Sequence, residues 1–120
     1  MNKGKMARDK GKRGELEVAK ILTNLMGLEH VRSGAQSRVG DWMPDVVTED
    51  PQDDYLIHWE AKRVEKLNIW QAMEQAIADC KEPRVPVVAH RKNGQPWLVT
   101  FRLHDLVEFA TNIYLGRLSQ

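Results

Sequence analysis

Pro44-Asp45-Val46-Val47, followed after a polar turn by Ile57-His58-Trp59-Glu60-Ala61-Lys62, is the stretch from which the rest of the chain is read. An extended strand sends alternate side chains to opposite faces. Glu60 and Lys62 therefore project together, with Leu56 and His58, while Tyr55, Ile57, Trp59 and Ala61 take the other face. If the strand beginning at Asp45 pairs with this one, two carboxylates and an amine converge at one sheet edge. Paired carboxylates outside any His or Cys ligand set suit a hard cation such as Mg²⁺, which takes oxygen ligands and leaves its other positions to water and phosphate. The plainer alternative for the same three residues is a cross-strand salt bridge.

The chain around this stretch has 120 residues, one cysteine and a net charge of +1. That length predicts one domain, able to bury a core without disulfides or structural metal. Cys80 has no internal partner, and His30, His58, His90 and His104 lack the paired spacing of a zinc site. A reducing cytoplasm is the expected compartment. No apolar run has the length of a signal peptide or a membrane span, so no membrane partner is expected.

The near-neutral total hides an asymmetry. Residues 1–40 hold nine Lys and Arg against four Asp and Glu, and the remaining 80 hold nine against thirteen. Residues 1–10 read as a basic, flexible arm and 11–120 as the domain. Lys3, Lys5, Arg8, Lys10, Lys12 and Arg13 are candidates for a polyanion such as DNA, against the alternative of a merely solvated terminus.

Apolar spacing at Val18, Ile21, Leu22, Leu25 and Met26 predicts a helix over 11–26, with Glu17, Lys20 and Asn24 on its solvent side and Gly27 as its C-terminal cap. Glu15 falls on the inward stripe, three residues before Val18 and seven before Leu22. A buried acid needs a partner, and the alternatives are the Asp45 and Glu60 region or merely the helix dipole and a neighbouring Lys. A short strand over 28–32 and a loop over 33–43 follow. Ser33, Ser37 and Arg38 in that loop are candidate phosphate contacts. Strands are expected at 45–48 and 55–62, joined by an acidic, solvated turn. A helix capped by Asn68 over 68–80 carries Gln71 and Gln75 and crosses to a parallel strand over 85–90. Asn93-Gly94 reads as a hairpin turn with positive φ angles, leading to a strand over 97–101. A last helix from 103 or 104 to 115 points Leu103, Leu106, Phe109 and Ile113 at the core, and nothing in the Met and Trp residues suggests an organic cofactor.

Together these residues resemble the PD-(D/E)xK nuclease superfamily, and within it the small Holliday-junction resolvases of archaeal type and their phage relatives. The resemblance covers about Lys10 to Phe101 and rests on Glu15 in the first helix, the Ser- and Gly-containing loop, Pro44-Asp45, Glu60-Ala61-Lys62 and Gln71 in the next helix. It implies an α/β, restriction-endonuclease-like core, a central mixed sheet of about five strands flanked by about three helices. It implies further that Asp45, Glu60, the Ala61 carbonyl and Glu15 hold Mg²⁺, with Mn²⁺ able to substitute. Lys62 would serve the attacking water, and Gln71 would lie near the site. The implied function is metal-dependent cleavage of branched DNA by a homodimer in a prokaryotic or phage setting, with Trp70, Trp97 and the last helix as candidate dimer surface. A nicking, flap or restriction-like nuclease, or a non-catalytic DNA-binding module, would be compatible with much of the same sequence.

Overall fold

The computed structural model describes residues 3–35 and 43–119. Its elements are α1 (Lys3–Met26), β1 (His30–Arg32), β2 (Val46–Thr48), β3 (Ile57–Arg63), α2 (Ile69–Asp79), β4 (Val85–Arg91), β5 (Leu98–Thr100) and α3 (Leu106–Leu118). The strands form one sheet in the order β1-β2-β3-β4-β5. The β3 and β4 strands are parallel and every other neighbouring pair is antiparallel. This is the expected mixed sheet with three helices. Asn68 caps α2 as expected, its side chain accepting the Gln71 N–H at 3.1 Å.

Alternation along β3 and β4 divides the molecule into two layers. Ile57, Trp59, Val85, Val87 and Ala89 face α1 and α3, packing with Val18, Leu22, Met26, Phe109 and Ile113. Val88, on the other face, packs against Ala72, Met73 and Ala76 of α2. His58 and Glu60 pair in register with Pro86 and Val88, so they belong to the α2 face. Burying Val87 and Val88 completely contributes on the order of 1.5–3 kcal/mol each before entropy is counted.

Several expectations change. The first helix starts at Lys3, so the basic residues read as a flexible arm form its opening turns. Lys, Arg, Met and Ala are good helix formers, no proline interrupts them, and Lys5 pairs with Asp9 one turn on at 3.0 Å. Its buried ridge is Gly14, Val18, Leu22 and Met26 with Ala19, while Ile21 and Leu25 are exposed. Gly14 belongs on that ridge because a Cβ there would stand 3.0 Å from the Arg63 Cβ. Glu17, expected in solvent, instead accepts from Arg63 Nη1 at 2.6 Å and Trp97 Nε1 at 3.1 Å. Trp97 is thus turned inward, whereas Trp70 is exposed.

The strand expected from Tyr55 begins at Ile57, because Leu56 adopts a left-handed φ of 64° with its N–H bonded to Asp54 Oδ1 at 2.9 Å. In the β4–β5 turn Gly94 alone has positive φ, at 76°, and Asn93 does not share it. Leu103 and Leu106, assigned to the core, are exposed; Phe109 instead stacks on Phe101 and meets Trp59 edge-on. No helix among the described residues is long and apolar enough to cross a membrane.

Candidate active site

The acids do not gather at an edge of the sheet. β3 is its central strand, and β2 pairs with it in register only through Val46 and Trp59. Asp45 stands just before β2, where its N–H still bonds the Trp59 carbonyl at 2.9 Å and its carbonyl accepts from Ser33 N–H at 2.9 Å. Asp45 Oδ2 accepts the Ala61 N–H at 2.9 Å. Glu15 of α1 is near enough for the Asp45 charge to act on it.

The Asp45 and Glu60 carboxyl groups lie near enough to perturb each other's ionisation. Burial, then the neighbouring Glu60 carboxyl, push the Asp45 carboxyl up to about 7. Glu60 is also raised, chiefly by burial. Glu15 is raised by burial and by the Asp45 charge, against the opposing effect of Arg32, whose Nε donates to Glu15 Oε1 at 3.0 Å. The Lys62 charge favours ionisation of all three acids. Lys62 is half-buried and makes no hydrogen bond or ion pair with the described residues.

Two participants were missed in the sequence. Arg32 is the partner that Glu15 needed, placed by β1 beside Asp45; a strand residue flanking a loop carries no signal for such a pairing. His58 corrects the reading of the acids as remote from histidine. It is 0 % exposed, and its Nε2 lies 2.8 Å from Glu60 Oε1. Burial lowers its pKa to about 4, which favours the neutral ring. The alternation that aligned Glu60 with Lys62 also aligned His58, and that signal was available.

The remaining candidates scatter. Ser33 is buried beside Asp45 through its backbone. Gln71 is exposed in the first turn of α2, where its N–H serves the cap, and no hydrogen bond joins its side chain to the acids. Lys3, Lys5, Arg8, Lys12 and Arg13 are exposed along α1, and Lys10 is half-buried with its amine 3.4 Å from Glu65. Ser37 and Arg38 lie outside the described residues.

Among the described residues no three His, Cys, Asp or Glu side chains cluster as a ready-made metal cage. Asp45 and Glu60 nevertheless fit a hard cation: a half-buried and a buried carboxylate that raise each other's cost of ionisation offer the oxygen donors and negative charge such an ion would neutralise. Glu15 is held by Arg32, and at Ala61 it is the N–H that meets Asp45.

A family model described as "Phage putative PDDEXK endonuclease" matches residues 6–115. No curated protein and no solved structure matches the chain significantly.

Proposed function

Since the chain belongs to the phage PDDEXK endonuclease family, we propose that it is a divalent-metal-dependent DNA endonuclease that acts on branched DNA, resolving four-way junctions as a homodimer in the cytoplasm of a prokaryotic host. The observation that carries the catalytic part is Asp45 fastened to the Ala61 N–H, between Glu60 and Lys62 on β3.

Asp45 and Glu60 would hold the ion, with the Ala61 carbonyl as a further oxygen donor. When bound, Mg²⁺ or Mn²⁺ supplies Lewis acidity at the phosphate and lowers the pKa of the attacking water. The Ala61 N–H keeps the Asp45 carboxylate in one orientation. Lys62, free of other partners among the described residues, orients the attacking water, assists loss of its proton and offsets charge growing on the phosphate. Arg32 keeps Glu15 in place, from which Glu15 would reach the ion through water.

Substrate placement draws support from α1. Arg8 and Lys12 lie seven and three residues before Glu15, so helical geometry sets them on its side of the helix as a track for the phosphate backbone. The homodimer draws support from the exposed apolar residues of α3 and from the match between two-fold protein symmetry and two related cuts.

A cleavage panel of four-way junction, flap, nicked and linear duplex with Mg²⁺ or Mn²⁺ tests this. The junction is expected to be cut in preference, and equal cleavage of junction and linear duplex would redirect the reading to a nicking or restriction-like enzyme. Asp45→Asn and Lys62→Ala should each bind DNA yet lose about 10²-fold or more in cleavage rate. Full activity of Lys62→Ala would remove the proposed mechanism.

A further inference from the structure

Glu60 is held by a residue that the metal-nuclease reading does not employ. His58 sits two positions earlier on β3, so its side chain leaves the same face of the sheet. It is completely buried, and its Nε2 lies 2.8 Å from Glu60 Oε1, within reach for an N–H on that nitrogen to donate to the carboxylate. The other ring nitrogen, Nδ1, is buried and has no hydrogen-bond partner among the described residues. A packing role alone would favour an apolar side chain here, since the sheet face around it holds Val88, Ala72, Met73 and Ala76. Keeping an imidazole with one unpaired nitrogen is unfavourable unless its other nitrogen performs a task.

The task follows from the geometry of the two acids. Asp45 has one oxygen fixed by a backbone donor, the Ala61 N–H. Glu60 has a longer side chain with one more rotatable bond, and no backbone donor among the described residues meets it. His58 supplies the equivalent restraint, a single ring nitrogen against one carboxylate oxygen. Both acids are then fixed before any ligand arrives.

Resting on the metal-nuclease reading above, we propose that His58 is a positioning residue that pre-orients Glu60 for a divalent cation shared with Asp45. Outer hydrogen-bond partners of this kind typically govern ten- to a hundredfold in metal affinity.

The test compares His58→Leu, which removes the donor but fills the buried space, with His58→Gln, whose amide N–H can reach Glu60. Mn²⁺ binding is measured by calorimetry without DNA, DNA binding is measured in EDTA, and thermal unfolding is followed in EDTA. For His58→Leu the expected result is a loss of about tenfold or more in Mn²⁺ affinity. DNA binding in EDTA should stay unchanged, and His58→Gln should regain most of the metal affinity. Wild-type Mn²⁺ affinity in a folded His58→Leu protein would overturn the proposal. So would equal loss of affinity in both variants, accompanied by equal loss of thermal stability, which would mark a packing role. Absence of Mn²⁺ binding by the wild type would instead sink the metal-site reading itself, and this inference with it.

Discussion

Asp45 carries the clearest consequence of the site's electrostatics. Its carboxyl moves from an ordinary 3.8 to about 7, so between those values the folded protein keeps a proton that the unfolded chain has released. Stability of the metal-free protein attributable to Asp45 therefore falls as pH climbs from about 4 to about 7, and stays low above that. His58 acts in the opposite sense: with its pKa lowered to about 4, it stabilises above its ordinary 6.5 and that contribution is lost as pH falls toward 4. Because the two slopes oppose each other below 6.5, the Asp45 part is isolated by substitution. Asp45→Asn in EDTA should raise stability by about 1.5 kcal/mol at pH 5 and by up to about 4 kcal/mol at pH 8. Denaturant unfolding at the two pH values checks it, and an equal change at both would show that Asp45 is not held protonated. The alignment of Glu60 with Lys62 was legible because strand alternation is a local rule, whereas bringing Asp45 to them needed a second strand to pair. The size of the shift was not legible, since burial is set by α1, α2 and the neighbouring strands together.

At the scale of the element, α1 joins two tasks along one rod. Its second half buries the Gly14, Val18, Leu22 and Met26 ridge and clamps Glu17 to Arg63, with Arg91 Nε also 3.3 Å from Glu17 Oε1. Its first half carries exposed lysines and arginines. Arg8→Ala and Lys12→Ala should each reduce the slope of log binding constant against log salt by about 1 on duplex or junction DNA, with metal affinity untouched. Filter binding in EDTA across a salt series measures it, and an unchanged slope in both would remove α1 from the DNA interface. At the other end of the fold, a Cβ on Gly116 of α3 would stand 2.8 Å from Met26 and Tyr55 side-chain atoms. Gly116→Ala should therefore destabilise by about 1–3 kcal/mol through overpacking, despite alanine's better helix propensity, and thermal melts decide the sign.

Among the described residues, α3 leaves an apolar face uncovered. On α3, Val107, Tyr114 and Leu118 are 77 %, 64 % and 60 % exposed. Helical periodicity puts them in one stripe, opposite Phe109, Ile113 and Gly116. Leu98 and Val99 are also exposed on β5, an outermost strand of the sheet. A homodimer through this surface predicts that Val107→Glu combined with Tyr114→Glu yields a monomer at micromolar concentration. Its unfolding free energy per chain should change by no more than about 0.5 kcal/mol, as for surface positions. Sedimentation equilibrium with and without a four-way junction reads the outcome. A wild type that is monomeric in both states would refute the dimer, leaving the metal site as it stands.

The sequence by itself determined the order of elements, the capped helix at Asn68, the parallel crossover and the alignment of Glu60 with Lys62. Each of these follows from periodicity or from chemistry between near neighbours in the chain. Tertiary structure alone decided which partner each charged side chain found: Arg32 for Glu15, Arg63 and Trp97 for Glu17, Ala61 N–H for Asp45. It also decided that Leu103 and Leu106 face out and that Gly116 joins the expected Phe109 and Ile113 on the inward side of α3. Apolar spacing marks a stripe, but the packed neighbour selects which side of a uniformly apolar helix is buried. Likewise a buried acid announces only that it needs a partner. Which one arrives depends on where a separate strand ends, and that is fixed by the folding of the chain as a whole.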